Sequence, residues 1–140
     1  MKYSNYGLLN QTMWILQFDH IHLNSPDALK TAQFYEKMFG SSIVRVTREG
    51  TVVRLDMNGQ QTMIGPPVGS PPLIPATLQP QYGLIHFGLR TDNLEKAVEE
   101  LKAKGMTFVQ DITPMSSGSK ISYFLAPENV LVELQQYPTT

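Results

Sequence analysis

The chain has 140 residues, 41% of them hydrophobic and 16% charged, which suits one globular domain built on one core. Eleven Lys and Arg against twelve Asp and Glu leave a net charge of −1, so no imbalance points to nucleic acid or an anionic membrane as partner. Without cysteine there is no disulfide framework, zinc finger or thiol nucleophile, and His, Asp and Glu are the strong metal ligands at hand.

Residues 1–15 read as an N-terminal extension, polar and aperiodic until Met13 and lacking the charged, apolar, small-residue succession of a secretory signal. No apolar stretch approaches the roughly 20 residues that span a bilayer, so a cytoplasmic location is the default expectation. A single domain is expected over 16–137, and an internal repeat sets its organisation. Residues 19–40 read DHIHLNSPDALKTAQFYEKMFG and residues 85–105 read IHFGLRTDNLEKAVEELKAKG. His20 lies over His86, Leu23 over Leu89, Leu29 over Leu94 and Gly40 over Gly105, an offset of 66 residues that falls to 65 after one deletion.

Each copy opens as a strand, a turn and a helix. Side chains alternate along a strand, so Ile21 and Leu23 share one face while His20 and His22 share the other. Likewise Ile85, Phe87 and Leu89 form an apolar face with His86 opposite. In the first helix Asp27 is the cap, Leu29, Ala32, Tyr35 or Gln33, and Met38 recur near helical spacing, and Gly40 ends it. In the second, Thr91 or Asp92 is the cap, Leu94, Val98 and Leu101 form the buried stripe, Glu100 and Lys104 make an i,i+4 pair, and Gly105 stops it.

Alternating strand-like runs follow each helix: SIVRVTREG, TVVRLDMNG and QQTMIG, then MTFVQDI, KISYFLA and VLVELQQ. Turn signals separate them at Glu49-Gly50, Asn58-Gly59, Ser116 to Ser119 and Glu128-Asn129. Module one therefore covers 16–65 and module two 84–137. The crossover between them, over 65–83, holds most of the prolines and has the pattern of neither a helix nor a central strand. Loops of that length are often functional.

The duplicated modules, a histidine opening each (His20 in FDHIHL, His86 in LIHFGL) and a closing strand in YFLAPENVLVEL resemble the vicinal oxygen chelate superfamily, over about residues 16–136. That group includes glyoxalase I, methylmalonyl-CoA epimerase, extradiol dioxygenases, fosfomycin-resistance proteins and bleomycin-binding proteins. The resemblance implies an α+β fold of tandem βαβββ modules forming a cupped mixed sheet, helices on the outside, with a divalent metal ion (Fe, Mn, Ni, Co or Zn) in the cup. Carried over residue by residue, it places metal ligands at His20, His86 and Glu133. The chemistry of these residues is consistent with that role: two imidazoles and one carboxylate leave positions open on an octahedral ion. Glu133 also alternates, with Leu131 and Gln135, away from Val130, Val132 and Leu134. Relatives of the glyoxalase I and epimerase type usually add a fourth ligand from the last strand of the first module. Here Met63 lies over Glu133, and a thioether is a poor ligand for a hard ion; Gln61 has the same parity two residues earlier.

The activity so implied is that of a metal-dependent lyase, isomerase or ring-cleaving dioxygenase acting on a small oxygenated metabolite. Glu133 is the candidate base, and His22 and Tyr123 the candidate assisting residues. The alternative is a metal-free small-molecule-binding protein similar to the bleomycin-binding proteins. A homodimer is a further family expectation. Arg45 and Arg54, on strands of the first module, are candidates for an anionic group, against the solvated face that strand arginines usually occupy. Ser116 to Lys120 reads as a hairpin turn that vaguely resembles an ion-binding loop of the fosfomycin-resistance proteins. Met57, Met63, Met106 and Met115 suit either the cup or the core, and Asp56 has no evident partner.

Overall fold

A computed structural model describes residues 16–67, 69, 72–77 and 82–139. The expected N-terminal extension and part of the crossover lie outside the described residues. Module one runs β1 (Ile21–Asn24), α1 (Ala28–Phe39), β2 (Ser42–Thr47), β3 (Val52–Met57) and β4 (Gln60–Gly65). Module two repeats it as β5 (Phe87–Arg90), α2 (Leu94–Ala103), β6 (Phe108–Pro114), β7 (Lys120–Ala126) and β8 (Val130–Gln136). The strands hydrogen-bond as two mixed four-stranded sheets, β1-β4-β3-β2 and β5-β8-β7-β6. In each the short opening strand lies parallel to the closing one, and the other pairs are antiparallel. This is the α+β arrangement that the repeat predicts.

Local chemistry explains most boundaries. Asn58 (φ 51°) and Gly59 (φ 98°) both take left-handed backbone, the requirement of a two-residue hairpin, and join Met57 to its register partner Gln60. Asp56 finds its partner here, its Oδ1 accepting from the Gly59 amide at 2.8 Å. Asp27 caps α1 by accepting from Lys30 N, and Gly40 closes it at φ 67°. The cap of α2 is Asn93, which accepts from Lys96 N, rather than Thr91 or Asp92. Thr91 Oγ1 instead accepts from the Asn93 amide, and Gln136 Oε1 takes the first helical N–H, that of Leu94, at 2.7 Å. With Leu94 fixed in this way as the first helical residue, Asn93 is the one placed to cap.

Alternation sends Val53, Leu55, Phe124, Val132 and Leu134 into one continuous core beneath both helices. Helix α1 joins the modules: Tyr35 lies against Phe87, ring centroids 6.3 Å apart, and Phe39 against Phe124, at 5.6 Å. Both sheets thus turn their other faces away from the helices. Three expectations are corrected. Leu29 is exposed, because Ala28, Thr31 and Tyr35 define the buried stripe; Ile85 is exposed because it precedes β5. Glu100 pairs with Lys96 at 3.9 Å, while Lys104 Nζ donates to the Met38 carbonyl of module one. Among the described residues no helix is long and apolar enough to cross a membrane.

Candidate functional site

Register places the site residues. In the second sheet Glu133 pairs with Gly88 on one side and Tyr123 on the other, and Tyr123 pairs with Gln110. Glu133 sits between Val132 and Leu134, both buried in the core, so its carboxylate projects from the face turned away from the helices. His86, one residue before β5, projects from the same face. With its proton on Nε2, it donates to Glu133 Oε2 at 3.0 Å, and the two side chains are only 28% and 15% exposed. Tyr123 meets the His86 ring edge-on, at 5.4 Å between centroids. Desolvation, then the hydrogen bond and charge of Glu133, push the Tyr123 phenol above its ordinary pKa, so it stays protonated. A carboxylate, an imidazole and a phenol therefore meet at one place.

In the first sheet the cognate row is His22, Met63 and Arg54, paired in that order. Met63 pairs with His22 as Glu133 pairs with Gly88, so Met63 holds the cognate place and Gln61 lies two residues from it. His22 donates from Nε2 towards the Gly65 carbonyl at 3.5 Å. His20, one residue before β1, donates from Nδ1 to Asp19 Oδ2 at 2.5 Å. That hydrogen bond, more than the charges of His20 and Arg54, holds the Asp19 carboxyl below its usual range. Among the described residues no three of His, Cys, Asp and Glu form a ready metal-binding group.

The donor set nonetheless fits a divalent ion in its chemistry. A metal-binding imidazole commonly donates its second N–H to a carboxylate, which fixes the ring and leaves the other nitrogen for the metal. His20 has that arrangement through Asp19, a partner that an exposed neighbouring residue does not advertise in any sequence period. Gly88 also escaped the sequence reading. It stands directly across from Glu133, where a Cβ would lie 3.7 Å from Oε2, so the carboxylate is left open on that side. Of the remaining candidates, Met57 and Met106 are buried in the core, Met115 is exposed, and Ser116 to Ser119 form a hairpin turn closed by Met115 N to Ser119 O.

Two mixed sheets from a duplicated βαβββ module, with an imidazole–carboxylate pair on the face opposite the helices, define a class of α+β proteins built from paired modules of this kind. The chain is a member of the Glyoxalase/Bleomycin resistance protein/Dioxygenase superfamily, whose profile matches residues 17–134. Among characterised relatives it is similar to the mitochondrial methylmalonyl-CoA epimerase of Mus musculus, at 30% identity over 89% of this chain and 75% of the relative. The Homo sapiens epimerase is 28% identical, over 89% and 77%. In fold the chain is similar to lactoylglutathione lyase from Agrobacterium tumefaciens, with a TM-score of 0.65, 19% identity, and coverage of 86% of this chain and 92% of that one.

Proposed function

We propose that the protein is a metal-dependent isomerase or lyase that moves a proton at a carbon next to a carbonyl in a small oxygenated metabolite. In this reading His20, His86 and Glu133 hold the divalent ion. The observation that carries it is the His86–Glu133 pair, 3.0 Å apart on the face away from the helices, which brings an imidazole nitrogen and a carboxylate oxygen together. When bound, the ion supplies positive charge to neighbouring substrate oxygens as the proton leaves. Glu133 takes the proton, since its carboxylate is shielded from water yet open on the Gly88 side. Tyr123, kept protonated beside it, donates a hydrogen bond to the substrate oxygen, and His22 contacts the substrate from the first sheet. Similarity to the epimerases favours proton transfer over ring cleavage.

A second reading, a metal-free small-molecule-binding protein, is favoured by one observation: Met63 occupies the place cognate to Glu133 and contributes no hard donor. Elemental mass spectrometry on untagged, chelator-free protein separates the two. The enzyme reading expects about one equivalent of Fe, Mn, Ni, Co or Zn, lost in His86→Ala, and solvent-deuterium exchange next to a substrate carbonyl that EDTA abolishes. Failure to retain any of the five ions after reconstitution overturns it and leaves the binding protein.

A further inference from the structure

We infer that the first sheet carries the recognition half of this site, a seat formed by Arg45 and Arg54 for an oxyanion group, carboxylate or phosphate, on the ligand. The inference deepens the proposed function and rests on it for the identity of the reacting half.

Register carries it. Across the first sheet the row reads His22, Met63, Arg54, Arg45; across the second it reads Gly88, Glu133, Tyr123, Gln110. Equivalent positions of the two copies thus hold opposite chemistry, with a carboxylate and a phenol in one and two guanidinium groups in the other. Both rows lie on the face turned away from the helices, because Arg54 stands between the fully buried Val53 and Leu55 as Glu133 stands between Val132 and Leu134.

The juxtaposition is built by a bulge. Ile43 pairs with Leu55 and Arg45 with Arg54, so Val44 is an extra residue in β2. Without it, Val44 would oppose Arg54; the bulge brings Arg45 there instead. Like charges directly opposed on antiparallel strands are destabilising. Among the described residues the ion pairs are made by histidines and lysines, and neither guanidinium takes part in one. The pair lines a concavity of about 510 Å³ whose other walls are Val44, Thr47, Val52 and Met63. Both arginine side chains are exposed, and their planar forks match the geometry of a carboxylate or phosphate. Arg54 is also near enough to Asp19, the partner of His20, for its charge to act on that carboxylate.

Isothermal titration of the full chain, stripped of metal with EDTA, tests the seat apart from the metal. Malonate and inorganic phosphate are the two probes, and whichever binds more tightly identifies the group. One-to-one binding is expected, weakened roughly tenfold in Arg45→Gln and in Arg54→Gln, retained in Glu133→Gln, and weakened by added NaCl. The arginine variants are expected to keep the circular dichroism and metal content of the parent. Binding of neither probe, or binding that survives in the double arginine variant, overturns the seat whatever the metal result. Metal-free protein that binds the probe while no ion is ever retained upholds the seat and overturns the reaction assigned above.

Discussion

Tyr35 places a phenol at the centre of the core, with its hydroxyl buried and without a hydrogen-bond partner among the described residues. Burial raises its pKa well above the ordinary value near 10. Removing an unpartnered buried hydroxyl relieves a desolvation penalty of about 1–3 kcal/mol, so Tyr35→Phe is expected to be neutral to stabilising by about 1 kcal/mol in urea unfolding near pH 7. The sign of the alkaline dependence follows. Above pH 10 the unfolded chain loses the Tyr35 proton while the folded one keeps it, so wild-type stability falls as pH rises through that range, and the Phe variant falls less. Equal slopes for the two proteins between pH 9 and 11 would remove Tyr35 as the cause. At the same scale the candidate site is only partly legible in the sequence. His20 and His86 stand out because the repeat brings two of three histidines into equivalence, and Glu133 because the closing strand resembles that of the family. The opposition of Arg45 to Arg54 does not, because a one-residue bulge leaves no trace in alternation. Asp19 is silent too, since contact with its own neighbour has no period.

At the scale of elements, the strands and hairpins follow the sequence closely because alternation and left-handed turn residues are local signals. The cap of α2 does not, because Thr91, Asp92 and Asn93 are all chemically able to serve. What selects Asn93 is long-range: Gln136 on β8 accepts from Leu94 N, and Thr91 N donates to Gln135 O on the same strand. Asn93→Ala is therefore expected to cost about 1 kcal/mol, whereas Asp92→Ala, exposed and outside the cap, is expected to stay within about 0.5 kcal/mol of wild type. Urea midpoints of the two variants decide it, and the reverse order would return the cap to Asp92.

At the scale of the molecule, the two modules share one core although no strand of one pairs with a strand of the other among the described residues. The bond between them is aromatic. Phe124 on β7 is fully buried and touches both Phe39 of module one, at 5.6 Å, and Phe108 of its own sheet, at 5.4 Å. Its loss leaves a cavity that neither sheet can close without moving the other, so Phe124→Ala is expected to cost about 3–5 kcal/mol. Because the contact is shared, the cost falls on both modules: unfolding stays a single cooperative transition, and native-state hydrogen exchange accelerates together at β3 and β8. The relative placement of the two rows of site residues depends on the same contact, since each row is held by the sheet behind it. Exchange that quickens only in module two would show two separately stable halves, and a site assembled from both would then need some other device to hold them in register.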